Sequence, residues 1–351
     1  MRGAVFVGVV MSVCIYSIYL GFLHVLPALA PATFEGTWWL HFGCFLFLAL
    51  NFFFHYFACI VKDPGTHLSA GFGRLIDEAR GRGLLLSSSA SAVATESDHD
   101  EGHRGGWLLR NKPFSWSVCV RALSTKPPRA HFCKVTGRLV LEMDHYCVWV
   151  FNCIGFANYR HFYLALLWLT LGCVFALVET TVVYNFTPPW VPPPPPVDEN
   201  GEEAELSFLG LLLQNGIVGP AGPLFFLCLV TGVCACVVGP FLAWHTYLTV
   251  HAMTTVEYAG AQIRAQSGGG LTRSGYFVGG SWWLTWCERL GLLGGAYPIA
   301  GAGNGGNGNR ARGVMLVLLR LLLPWMQRRA VGVWFAPTTY WQLPMLSRRP
   351  R

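Results

Sequence analysis

Charge is what this sequence has least of. Asp, Glu, Lys and Arg make up 12% of its 351 residues while 53% are hydrophobic, and so small an ionic share excludes an ordinary soluble protein of this size. In place of charge there are four long apolar runs: Val5–Val25, about Trp38–Val61, about Phe162–Tyr184 and about Leu224–Leu248. Each reaches the roughly 20 residues that a helix needs to cross a bilayer. The first run outlasts a secretory signal core and has no clear small-residue cleavage site, so it reads as a retained helix. The expected fold class is therefore an all-α integral membrane protein, with four transmembrane helices and a small cytosolic cysteine-containing module between helices 2 and 3.

Lys and Arg are missing altogether from two of the three connecting loops. Of the 25 in the chain, 13 lie between Lys62 and His161 and 11 lie beyond Val250. The loop after the third run is acidic instead, at Asp198, Glu199, Glu202, Glu203 and Glu205. Short basic loops stay in the cytoplasm, so both termini and the long central loop are expected there, on an endomembrane (Golgi or ER). The net charge of +7 is then a topology signal and an attraction to anionic lipid, with no nucleic acid implied.

The chain divides accordingly. Residues 1–61 hold helices 1 and 2. Residues 62–106 form a cytosolic linker, partly disordered, because its Ser-rich and acidic stretch (Ser87 to Glu101) cannot bury enough apolar surface to fold. Residues 107–161 concentrate aromatic, Cys, His and Pro residues in a compact module. Residues 162–248 hold helices 3 and 4 around an acidic lumenal loop stiffened by Pro192–Pro196. Residues 249–351 form a cytosolic tail with a Gly/Asn-rich connector, Gly301–Asn309, and a short apolar stretch, Val314–Leu323, suited to the membrane interface. Glu179 is the one acid inside a predicted span, placed where it is expected to reach lumenal water; His41 and His55 are expected to be satisfied within the bundle.

Of twelve cysteines, eight lie in the spans or the tail, where a thiol acts as a small hydrophobe. The other four, Cys119, Cys133, Cys147 and Cys153, fall in the central loop, whose reducing surroundings favour metal binding or catalysis over disulfides. Asp144, His145, Tyr146 and Cys147 stand in succession. A thiolate attacks acyl groups, an imidazole can take its proton, and a carboxylate can orient the imidazole.

Around this quartet the chain resembles the DHHC family of protein S-acyltransferases (palmitoyltransferases). The resemblance runs from Lys126–His131 with Cys133, through Met143–Trp149, to Asn152–Arg160. It is reinforced by Asp63-Pro64-Gly65 after the second run and Thr254-Thr255-Val256-Glu257 after the fourth. It implies transfer of a long fatty chain from acyl-CoA (palmitoyl-CoA) by a ping-pong route, through an acyl-enzyme on Cys147, to cysteines of membrane-associated proteins. It makes Cys147, His145 and Asp144 the catalytic residues, with Lys126 and Arg129 available to meet CoA phosphates.

Two departures qualify what the resemblance implies. Tyr146 and Val148 stand where the family has His and Pro. Typical members also hold two zinc ions, each through three cysteines and a histidine. Here the first set keeps Cys119 but has Ala122, Phe132 and Leu139, and the second keeps Cys133 and Cys153 but has Thr136 and Tyr146. Four N or S ligands make a structural zinc site, so at most one ion is expected, completed by water or His131. Packing of the apolar replacements is the alternative. Loss of ligands also leaves open a scaffold that has kept the fold and lost catalysis, against which the retained Asp144, His145 and Cys147 argue. A transporter would show paired intramembrane charges or inverted repeats, and neither is visible.

Overall fold

The computed structural model describes residues 2–29, 35–81, 117–186 and 222–266, with 286, 287 and 290. The linker beyond 81, the Pro-rich acidic loop, the Gly/Asn connector and the 314–323 stretch lie outside the described residues. Four helices are long and apolar enough to cross a membrane, Ala4–Val25, Trp38–Val61, Tyr159–Asn185 and Gly222–Val250, and they coincide with the four runs read from sequence.

Helix α1 (Arg2–Leu20) widens into a π-helical turn, Gly21–Val25, before a short α2 (Leu26–Leu29). The widening immediately precedes Pro27, which has no N–H to give the carbonyl four residues back. Helices α3 (Glu35–Val61) and α4 (Ala70–Gly81) follow. After the module come α5 (Tyr159–Phe186), α6 (Gly222–Val250, with Pro240 inside it) and α7 (Thr255–Gln266).

The chain separates into two compact units, Met1–Tyr56 with Tyr163–Trp244, and Phe57–Phe162 with His245–Arg351. The first is the apolar bundle. Leu20, Val25, Leu29, Val183 and Leu227 form its buried cluster. Gly21 permits close packing, since a Cβ there would sit 3.1 Å from the Phe45 ring. Glu179 is not turned to water as expected. Its carboxylate meets His41 Nδ1 at 2.8 Å, because inside an apolar bundle a charge finds a partner before it finds solvent.

The second unit contains the module, which among its described residues forms short strands and turns up to the start of α5 at Tyr159. Six three-residue strands pair as three antiparallel hairpins: β1–β2 (Ser117–Cys119, Ser124–Lys126), β3–β4 (His131–Cys133, Arg138–Val140) and β5–β6 (His145–Cys147, Asn152–Ile154). Hairpins this short have little cross-strand energy of their own, so they depend on ties to their surroundings. Asp63 Oδ1 accepts from the N–H groups of Gly65 (2.8 Å) and Thr66 (2.9 Å) and from the Ser69 hydroxyl (2.6 Å). Burial would raise this carboxyl, but the hydrogen bonds from Ser69, Thr66 and Gly65 hold it below its ordinary range. Gly65 takes φ +96°, a conformation open to glycine, and its carbonyl receives the N–H of Leu141 at 2.9 Å. The Asp-Pro-Gly triplet is thus the turn that carries the chain from α3 onto β4.

Two asparagines finish the attachment. Asn152 Nδ2 donates to the carbonyls of Cys59 (2.9 Å) and Lys62 (3.0 Å), closing the open end of α3. Asn158 accepts from Gly155 N–H (2.9 Å) and donates to Cys153 O (2.8 Å) just before α5 begins. Gly155 lies where these connections converge: a Cβ would fall 2.6 Å from Val140 Cγ1, 2.8 Å from Pro64 O and 2.9 Å from Leu141 O. Two of those neighbours are backbone and cannot yield. Gly155→Ala should therefore destabilise the protein by about 1–3 kcal/mol, the usual cost of overpacking. The check is the apparent melting temperature in detergent; an unchanged value would show that the hairpins are not locked at this point.

Candidate active site

The site is built by strand alternation. In β5, residues 145 and 147 share one face and residue 146 takes the other. His145 and Cys147 are thereby aimed together, and Cys147 contributes hydrogen bonding to the imidazole. Asp144 precedes the strand and is almost wholly buried. Its Oδ2 accepts from His145 Nδ1 at 2.8 Å, which fixes the tautomer with Nδ1 protonated. The His145 ring also packs edge-on against Phe162, with centroids 5.1 Å apart.

Asp144 is itself held by the start of α7. Thr255 donates its backbone N–H to Oδ1 (2.9 Å) and its hydroxyl to Oδ2 (2.6 Å), placing a carboxylate at the positive end of a helix. Glu257 closes the same turn as a reciprocal cap: its carboxylate accepts from Thr254 N–H (2.8 Å), and Thr254 Oγ1 accepts from Glu257 N–H (3.2 Å). Glu257 also binds Arg129 through Nε (2.6 Å) and Nη2 (3.0 Å). Sequence reading singled out the Thr-Thr-Val-Glu quartet but gave it no task. Its task is to hold Asp144.

Electrostatics follow from this packing. Burial would push the Asp144 carboxyl up, yet the hydrogen bond from His145, the charges of His145 and His245 and the hydrogen bond from Thr255 bring it down to about 2. Burial would likewise lower His145, but hydrogen bonds with Asp144 and Cys147, and their charges, raise it to about 9.

Arg129 does not reach outward for a phosphate. It is buried, with Glu142 at 2.9 Å, Glu257 at 2.6 Å and the Ala252 carbonyl at 3.0 Å on its guanidinium, so the role expected of it toward CoA is overturned. The reason is that two acids from distant parts of the chain converge on it. Lys126, at the end of β2, is only half-buried. Burial pulls its ammonium below the ordinary lysine range, opposed by Cys119.

Most of the residues aligned with the two zinc sets gather, but as packing; Phe132 of the first set is outside these clusters, its ring 6.0 Å from the Arg121 guanidinium carbon. Cys119, Ala122 and Leu139 join Phe72, Leu75 and Ile76 of α4 in one cluster with Ala130, Leu141 and Phe156. Helix α4, within the stretch expected as a partly disordered cytosolic linker, packs over the residues that the resemblance aligns with the first set. On the far face of β5, Tyr146 lies opposite Cys153 in the β5–β6 register, and both pack with Cys133, Val140 and Met143. Thr136 Oγ1 is 3.8 Å from Cys153 Sγ. His131 belongs to no group of three or more close donors among the described residues; burial, reinforced by Lys126 and offset by Glu257, lowers its pKa to about 4. Among the described residues the single group of three or more close His, Cys, Asp or Glu donors is Asp144, His145 and His245. Neither inherited set therefore fits a four-ligand zinc site.

Known proteins resemble this chain over the same stretch. The family model for DHHC palmitoyltransferase matches residues 112–262. A probable protein S-acyltransferase 16 of Arabidopsis thaliana is 29% identical over 240 residues, 68% of each chain. Palmitoyltransferase pfa3 of Aspergillus fumigatus is 30% identical over 220 residues, 61% of this chain and 32% of that protein. Palmitoyltransferase ZDHHC16A of Danio rerio is 25% identical over 167 residues, 40% of this chain and 43% of that protein. The chain thus spans from about a third to about two thirds of these relatives. Over residues 112–262 it matches the DHHC palmitoyltransferase model, and the relatives it resembles there are named as protein S-acyltransferases and palmitoyltransferases.

Two predictions arise here. The first concerns metal: the purified protein should carry at most one zinc ion, and a strong chelator should leave its melting temperature unchanged. Two tightly held ions by elemental analysis, or unfolding on chelation, would contradict the packing replacement. The second concerns pH. Because His145 is raised from 6.5 to about 9, its pairing with Asp144 stabilises fully below pH 6.5 and is lost as pH rises through 9. The difference in melting temperature between the native protein and His145→Gln should shrink across that window; a constant difference would refute the pairing.

Proposed function

We propose that this protein is a protein S-acyltransferase that carries a long fatty acyl chain from acyl-CoA, as a thioester on Cys147, to cysteines of membrane-associated proteins. The observation that supports this best is the unbroken run from Thr255 through Asp144 to His145, with Cys147 on the same face of β5. In the first step the Cys147 thiolate attacks the acyl-CoA carbonyl and the CoA thiolate leaves, taking up a proton from the imidazolium. In the second step His145 receives the proton of an acceptor thiol. That thiolate attacks the acyl-enzyme, and Cys147 departs as the thiolate beside a protonated imidazole. Asp144 keeps Nδ1 protonated and steadies the charge on the ring throughout.

Placement supports the same reading. A nucleophile close to the ends of apolar helices suits a substrate with a soluble anionic head and a membrane-soluble tail. Lys126 is the cation proposed to meet the CoA phosphates. The basic loop and tail support a cytosolic face for the module and both termini, and the endomembrane system is the location proposed with it. The lost zinc ligands favour a scaffold in isolation, but packing explains their loss while a scaffold leaves the Thr255–Asp144–His145 relay without a use.

The test is self-acylation with palmitoyl-CoA, read as a hydroxylamine-sensitive adduct. Cys147→Ser should abolish both adduct and transfer, and His145→Ala should slow adduct formation by about 100-fold or more, the usual effect of losing a positioned base. Tyr146→Phe, on the opposite face of β5, should cost little. Undiminished transfer by Cys147→Ser would overturn the assignment, and equal damage from Tyr146→Phe would overturn the division of roles.

A further inference from the structure

Behind Asp144 stands a second imidazole that sequence reading passed over. His245, near the end of α6, is buried, and its hydrogen bonds and ring contacts are made at the site. One of its ring nitrogens lies within 4.8 Å of both an Asp144 oxygen and a His145 nitrogen. Its ring is 5.9 Å from the His145 ring and 4.9 Å, edge-on, from Phe162, the same ring that backs His145. On its other side Nδ1 lies 3.3 Å from the Tyr159 hydroxyl, which is in turn 2.9 Å from Thr249 Oγ1. Thr249 Oγ1 donates to the His245 carbonyl at 2.6 Å, so the residue is anchored through backbone and side chain alike.

Such an arrangement is costly to keep in an apolar helix end unless it acts on something, since a buried imidazole must find partners for both nitrogens. Asp144, His145 and His245 could in principle take a cation, but both Asp144 oxygens are already occupied by Thr255 and His145. The remaining use is orientation. We propose that His245 is a positioning residue, which fixes the Asp144 carboxylate and, through Phe162, the plane of the His145 ring, so that the imidazole faces Cys147 before substrate arrives. This rests on the acyl-transfer reading of Cys147 and His145.

The test is a double-mutant cycle on the full chain in detergent or nanodiscs, measuring the rate of Cys147 self-acylation from palmitoyl-CoA. His245→Phe keeps the ring against Phe162 but removes its nitrogens, and should slow the reaction by about 10-fold or more, as small misplacements of a catalytic group do. His245→Gln, which returns a polar nitrogen, should recover much of that loss. In a His145→Ala background His245→Phe should add nothing, because it acts through His145. Native-like rates for His245→Phe, or the same fold loss with and without His145, would overturn the proposal. Should His245→Phe not fold, Tyr159→Phe removes its anchor and should show a smaller slowing with the same non-additivity. A full rate for His145→Ala alone would strike the underlying site assignment, whereas a slow His145→Ala with an additive His245→Phe would strike this inference only.

Discussion

The carboxylate of Asp144 receives three hydrogen bonds, from the backbone N–H and the hydroxyl of Thr255 and from the His145 ring. Two of these come from the first turn of α7, a helix reached only after α5, α6 and the segment between them. The β5–β6 hairpin therefore takes its order from a remote part of the chain. Without that carboxylate the β5–β6 hairpin, three residues per strand, would have little to fix the angle of its histidine. Burial opposes the charge on Asp144, but its hydrogen bonds hold the carboxyl down to about 2, and its hydrogen bond and charge help raise His145 to about 9.

The same economy recurs around it. Arg129 joins Glu142, beside the hairpin, to Glu257, on α7, and the ion cluster is buried with its hydrogen-bonding capacity used on both sides. Breaking one partner in such a cluster leaves a charge stranded, which is far worse than never having had the cluster. The module thus has a charged clamp and two apolar clusters. The apolar clusters include residues that the resemblance aligns with metal ligands. Metal crosslinks and side-chain packing are alternative ways of stabilising short hairpins, and α4 makes the second possible by laying Phe72 and Leu75 over Leu139.

Much of this was legible in the sequence because it depends on local signals. The four spans are visible as apolar runs, and Asp144, His145, Tyr146 and Cys147 as an ordered quartet. What stayed hidden depends on long-range pairing. Three-residue strands are too short to show a period, so the module could not be read as hairpins. Arg129 looked like a surface cation because its two acids lie 13 and 128 positions away. Glu179 looked lumenal because its partner His41 lies in another helix. His245 did leave a signal, an imidazole in an otherwise apolar helix two turns before Thr254, and intramembrane polar residues of that kind are seldom idle.

Because the hairpin, the histidine and α7 all meet at one carboxylate, the most direct measurement is the self-acylation rate of Thr255→Val. This change removes only the hydroxyl donor and preserves shape and the backbone N–H. The folded protein should keep its melting temperature within a few degrees yet acylate Cys147 about 10-fold more slowly, because Asp144 would be free to turn away from His145. Acylation at the native rate would mean that Asp144 holds its place without α7, and that the dependence of the site on this distant helix is wrong.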